Sequence, residues 1–83
     1  MSHFVYVLHN PKTGRLYVGR TRNLKRRLEQ HKKSKLSHRN RYFTCIFAEI
    51  FTNEADASRR ESYLKSSKGK YTLKAMLKNT LSL

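Results

Sequence analysis

Apolar positions along the chain fall into three short extended runs, each followed by polar or helical segments. Over His3–His9 the residues alternate, with Phe4, Tyr6 and Leu8 on one face and Val5 and Val7 on the other. Both faces are apolar, which predicts a central strand covered on each side. Asn10, Pro11, Lys12, Thr13 and Gly14 form a turn cluster, and residues 15–19 read as a second strand. The two make a hairpin. With Pro11 to Gly14 as a four-residue loop, Asn10 stands opposite Arg15, Leu8 opposite Tyr17 and Tyr6 opposite Gly19. Directly opposed residues share a face, so this register places Tyr6 and Tyr17 side by side as diagonal neighbours. Gly19 then leaves open space beside the Tyr6 phenol. A slip of one residue would send the rings to opposite faces.

Asn23 is placed to cap a helix reaching about residue 33, with Leu24, Leu28 and His31 on one stripe at i, i+4 and i+7. Arg27 falls within that stripe, toward the sheet, whereas Lys25, Arg26 and Lys32 face solvent. An arginine turned inward needs anionic company, and a phosphate would supply it. Residues 34–41 are polar and basic and read as a loop, and residues 42–51 as a third strand, apolar on both faces. Asn53 caps a second helix reaching about residue 67, with Glu54 and Asp56 favourably placed in its first turn. Lys68, Gly69 and Lys70 are expected to break it. A third helix over 71–81 would pack through Leu73, Met76, Leu77 and Leu81. The expected fold class is α+β: a small three-stranded antiparallel sheet, hairpin plus third strand, flanked by about three helices.

Composition narrows the partner. The 83 residues carry 19 Lys+Arg against 5 Asp+Glu, a formal charge of +14. Self-repulsion of that size opposes compaction, and a polyanion relieves it; nucleic acid is the usual one. The length corresponds to one small domain over residues 1–83 with a thin core. The single cysteine, Cys45, excludes an internal disulfide, and no Cys/His cluster has zinc-ligand spacing. The first residues lack a basic-then-apolar signal pattern, and no apolar run is long enough to span a bilayer. A cytoplasmic location and no membrane partner are therefore expected.

Charge says nothing of catalysis; the candidate chemistry lies in a few side chains. Phosphodiester hydrolysis needs a base for water, a cation for the developing charge and help for the leaving oxygen. A tyrosine, with a reference pKa of about 10, is a poor base unless its phenolate is stabilised. Arg27, the surplus lysines or a metal would each lower that pKa. His31 could accept or relay a proton. Of the five acids, Glu54 and Asp56 are accounted for by a helix N-terminus, Glu29 by a pair with Lys33, and Glu49 has no evident task. Glu61 lies on the stripe Ala57, Glu61, Leu64 and would suit one Mg²⁺ with a mostly aqueous shell, or simply pair with Lys65 at i+4. Taken singly, the tyrosines could equally be strand aromatics and His31 a helix-end histidine favoured by the macrodipole.

In order and spacing these segments resemble the GIY-YIG nuclease superfamily, in its small single-domain branch, over nearly the whole chain. Phe4-Val5-Tyr6 stands for the first signature, with Phe and Val in place of Gly and Ile, and Tyr17-Val18-Gly19 for the second. Residues 23–31 are similar to the family helix, and 60–66 with Gly69 to the segment bearing its metal-binding glutamate. The resemblance implies a metal-dependent DNA endonuclease, possible roles being repair or recombination, using a single Mg²⁺ or Mn²⁺. It implies Tyr6 or Tyr17 as the base, with Tyr6 favoured, Arg27 stabilising the phosphorane, His31 assisting proton transfer and Glu61 holding the metal. The nearest counterpart of a family asparagine is Asn79. Without an attached recognition domain, contacts to DNA would fall to Arg20, Arg22, Lys25, Arg26, Lys65 and Lys68, giving phosphate-driven, salt-sensitive and weakly specific binding. RNA stays open beside DNA. Two other readings stand: a non-catalytic nucleic-acid-binding module, and a nuclease subunit that needs a targeting protein partner.

Overall fold

The computed structural model describes residues 1–33 and 43–82. The basic stretch 34–41 and Tyr42, the expected start of the third strand, lie outside the described residues. Strands β1 (His3–His9), β2 (Leu16–Thr21) and β3 (Thr44–Phe51) form an antiparallel sheet in the order β2-β1-β3. The central position of β1 follows from its apolar character on both faces: Val5, Tyr6, Val7 and Leu8 are all buried.

The hairpin has the expected register. Leu8 pairs with Tyr17 and Tyr6 with Gly19. Asn10 sets it chemically, donating its N–H to the Arg15 carbonyl (2.9 Å) and accepting from Gly14 N–H (2.7 Å). Its side-chain oxygen also accepts from Lys12 N–H at 2.9 Å, so this buried amide is satisfied within the turn. Gly14 takes the left-handed φ of +75° that closes the loop.

Helices cover both faces. Helix α1 (Leu24–Lys33) lies on the Tyr6 side and is capped by Asn23, whose side chain accepts from Arg26 N–H at 3.0 Å. Helices α2 (Glu54–Lys65) and α3 (Ser67–Met76) lie on the other side, followed by the single turn α4 (Lys78–Leu81). There Val5, Val7 and Val18 meet Ala57, Leu64 and Leu73 in the core. The expected stripe of α2 is therefore the one that packs. Among the described residues no helix is long and apolar enough to cross a membrane.

The helix break differs from expectation. It falls at Ser66, and Gly69 lies inside the first turn of α3. Ser66 ends α2 through its backbone N–H on the Tyr63 carbonyl, and its hydroxyl accepts from Gly69 N–H at 3.1 Å to start α3. A serine able to cap outweighs a glycine that merely weakens helix. Gly69 is needed for space instead. A Cβ there would sit 2.5 Å from Leu64 Cα and 2.6 Å from the Tyr63 carbonyl carbon. Both are backbone atoms that cannot step aside, so Gly69→Ala is expected to cost about 3 kcal/mol in a urea unfolding measurement. An unchanged midpoint would mean that α2 and α3 tolerate separation. Met76, expected in the packing face, is half exposed; the face that packs runs through Leu73 and Leu77, one turn apart.

Candidate active site

Three rings converge on the α1 side of the sheet. The Tyr6 and Tyr17 centroids are 6.4 Å apart, Tyr6 and His31 6.0 Å, and Tyr17 and His31 5.5 Å, the last two edge-on. Tyr6 is 2% exposed and Tyr17 46%, so one phenol is an interior group and the other meets solvent. The Tyr6 hydroxyl lies 3.1 Å from His31 Nε2. Gly19 makes this arrangement possible, though not by leaving the space empty. The phenol itself lies over the glycine, and a Cβ at position 19 would come within 2.5 Å of Tyr6 Cζ.

Electrostatics runs against one expectation. Tyr6 is pushed up to about 12, first by burial and then by Tyr17 and Glu61, with Arg27 pulling the other way. The sequence suggested a lowered phenol because cations abound; desolvation outweighs the one that faces it. His31 is lowered below its ordinary value, by burial and by the Arg27 charge. The helix macrodipole would favour the charged imidazole, yet these two effects prevail. Near neutral pH both partners are therefore uncharged. With the imidazole proton on Nδ1, the phenol donates to Nε2; with it on Nε2, the phenol oxygen accepts.

Arg27 departs from the inward orientation expected of it. It is exposed, as are Lys25 and Arg26, while Leu24, Leu28 and His31 are half-buried. Its guanidinium still acts on both Tyr6 and His31, and it lines a basic hollow of about 290 Å³ with Arg22 and Arg26. A long cationic side chain can keep its head in water while its charge reaches a buried neighbour.

Glu61 comes from the opposite side of the sheet, at the free edge of β2. Its side chain is 19% exposed. Oε1 accepts from Arg20 Nε at 3.3 Å, and Oε2 lies 3.1 Å from Lys65 Nζ, the i+4 pair anticipated from the sequence. Arg20 also reaches Glu54 at 3.4 Å. This bridge was not foreseen: Glu54 was accounted for by the helix N-terminus and Arg20 only as a contact to DNA. No local pattern links residues 41 apart; the signal is the hairpin register, which pairs Arg20 with Val5 and so puts it on the face that α2 covers. Glu49 likewise acquires a task, accepting two bonds from Arg60 at 2.8 and 3.2 Å. Lys68 is exposed at the start of α3. Asn79 is exposed on α4, and its hydrogen bond, from Ser82 Oγ to its carbonyl, stays within that turn.

A model of the GIY-YIG catalytic domain matches residues 2–75. The chain belongs to the GIY-YIG family. A solved structure similar to this GIY-YIG chain is the UPF0213 protein BH0048 from Bacillus halodurans, determined by solution NMR. It is 30% identical, with a TM-score of 0.59, over 92% of this chain and 85% of that one. No curated protein matches the chain. The α+β fold with its three-stranded antiparallel sheet is thus that of a nuclease-type family.

Nucleases of this family typically depend on a divalent metal. Among the described residues no three His, Cys, Asp or Glu side chains gather to hold an ion. Glu61 offers one partly buried carboxylate, with Glu54 joined to it through Arg20. That suits Mg²⁺, which keeps several waters and often takes only one or two carboxylates plus substrate phosphate. It does not suit a closed zinc site.

Proposed function

We propose that this GIY-YIG domain is a metal-dependent DNA endonuclease with weak intrinsic specificity. The observation that carries the reading is the Tyr6–His31 hydrogen bond, with Arg27 and Glu61 both felt at the same phenol. In this reading Tyr6 removes a proton from water while passing its own proton to His31 Nε2. The relay avoids a free phenolate, which a buried phenol pushed up to about 12 would scarcely populate at neutral pH. Tyr17, more exposed and adjacent to both rings, orients the water or the phosphate. Arg27 meets the charge that develops on the phosphoryl oxygens, and its planar fork suits two of them at once. Glu61 would hold a single hydrated Mg²⁺ or Mn²⁺, which supplies Lewis acidity and charge neutralisation at the phosphate.

Phosphate contacts outside the cleaved bond fall to Arg22 and Arg26, which share a hollow with Arg27, to Lys25 exposed on α1, and to Lys65 and Lys68 exposed at the end of α2 and the start of α3. Such contacts position the duplex without reading bases, so affinity should fall steeply with salt. Repair or recombination are processes that would use such an activity.

The test is nicking of supercoiled plasmid with Mg²⁺. Arg27→Ala should retain the folded circular-dichroism spectrum, since the side chain is exposed, and slow cleavage about 10²- to 10³-fold, the usual cost of one transition-state donor. Equal rates for variant and parent would remove Arg27 from the chemistry. Retarded migration of DNA with no cleavage, across metals and substrates, would replace the proposal with a non-catalytic binding module. Cleavage that appears only on fusion to a DNA-binding domain would make it a subunit awaiting a targeting partner.

A further inference from the structure

We propose that Lys65 is a positioning residue with two alternative partners. It pairs with Glu61 in the free protein and with a DNA phosphate in the complex, so that DNA binding releases Glu61 for the divalent ion. The proposal rests on the nuclease reading above and adds to it a coupling between the two ligands.

The two cations on Glu61 are not equivalent. Arg20 is 30% exposed, grows from a paired strand and bridges two acids, Glu61 at 3.3 Å and Glu54 at 3.4 Å. Lys65 is 56% exposed, ends α2, and has Glu61 as its one ion-pair partner among the described residues. Arg20 thus serves as a fixed support that orients the carboxylate, leaving the Oε2 side to Lys65. An incoming dication must approach that oxygen against an ammonium 3.1 Å from it. The lysine reaches solvent along most of its length, and i,i+4 pairs of that kind hold weakly, so Lys65 is easily displaced from the partly buried carboxylate. A phosphate offers it a better partner, because charge-assisted bonds to phosphate come with counterion release. Lysine suits the role: it is a point charge on a flexible stem, whereas an arginine would hold the carboxylate by a rigid fork.

Thermodynamic linkage makes the effect reciprocal. If DNA draws Lys65 away and raises metal affinity, metal must raise DNA affinity by the same factor. The neutral alternative is a surface pair that resists nothing. It predicts that removing Lys65 leaves metal affinity unchanged.

The experiment titrates the full chain with Mn²⁺, reading free ion by electron paramagnetic resonance, with and without a short duplex. A Tyr6→Phe background keeps the duplex intact. Without DNA, Lys65→Met should bind Mn²⁺ about five-fold tighter than its Lys65 parent, the scale expected from screened repulsion between a single and a double charge a few Å apart. Lys65→Arg, which keeps the charge and grips the carboxylate by its fork, should bind Mn²⁺ no tighter than the parent. Adding duplex should strengthen Mn²⁺ binding less in Lys65→Met than in the parent, by about the factor already gained. Equal Mn²⁺ affinities for Lys65→Met and parent without DNA would overturn the proposal, as would Lys65→Arg binding as tightly as Lys65→Met. Two further outcomes would strike the nuclease reading itself: Mn²⁺ binding unchanged by Glu61→Gln, or no duplex binding by the parent.

Discussion

Glu61→Gln is expected to abolish plasmid cleavage, with a loss of at least about 10³-fold, while leaving the fold in place. The isostere keeps the shape of the side chain but not the charge that pairs Arg20 and Lys65 and would hold a dication. The structural cost should be small. Arg20 retains Glu54 at 3.4 Å, and Lys65 is more than half exposed, so neither cation is left buried alone. Circular dichroism and a thermal melt check the fold, and nicking over a range of Mg²⁺ concentrations checks the chemistry. Parent-like cleavage by a folded Glu61→Gln protein would remove the carboxylate from the mechanism.

His31→Ala should slow cleavage about 10²- to 10⁴-fold, the range for a general base, and should also change the shape of the pH profile. In the parent the accepting imidazole must be neutral. Its pKa lies below the ordinary 6.5, so activity should fall on acidification only below that pH and stay level above it. Sign follows directly: protonation blocks Nε2, and a lowered pKa moves the block to more acid solution. Without His31, Tyr6 has no acceptor and must act as phenolate. Because the phenol is pushed up to about 12, the variant's rate should then climb about ten-fold per pH unit through the alkaline range. A parent profile that already climbs this way would rule out the relay and assign His31 a packing role.

The hairpin was legible because its signals are local. Turn residues from Asn10 to Gly14 fix loop length, loop length fixes register, and register puts Tyr6 and Tyr17 on one face. The caps Asn23 and Asn53 and the α2 stripe through Ala57 and Leu64 were legible for the same reason. Local signals mislead where two of them compete. Gly69 reads as a breaker, yet Ser66 three residues earlier both ends α2 and starts α3, and the glycine serves close helix packing instead. Arg27 reads as inward by periodicity, yet α1 touches the sheet mainly through side chains such as His31, and a guanidinium at its rim stays in water.

The candidate site shows the same division. Residue types and spacing sufficed to nominate Tyr6, Tyr17, Arg27, His31 and Glu61, and the family match over residues 2–75 places them in a nuclease-type fold. Their protonation states were not legible, since burial depends on which elements cover a group. Burial in the folded chain, with Tyr17 and Glu61 brought near the phenol, sends Tyr6 up, and burial together with the Arg27 charge sends the His31 imidazole down.

Backbone pattern, caps, register and net charge were determined by the sequence alone, because each is set by neighbours a few residues away or by a simple sum. Tertiary structure alone decided that Glu61 meets Arg20 across 41 residues, that Tyr6 meets His31 across 25, and that burial raises the Tyr6 phenol and lowers the His31 imidazole. Coulomb and desolvation energies depend on distance and exposure in space, and neither is a function of separation along the chain.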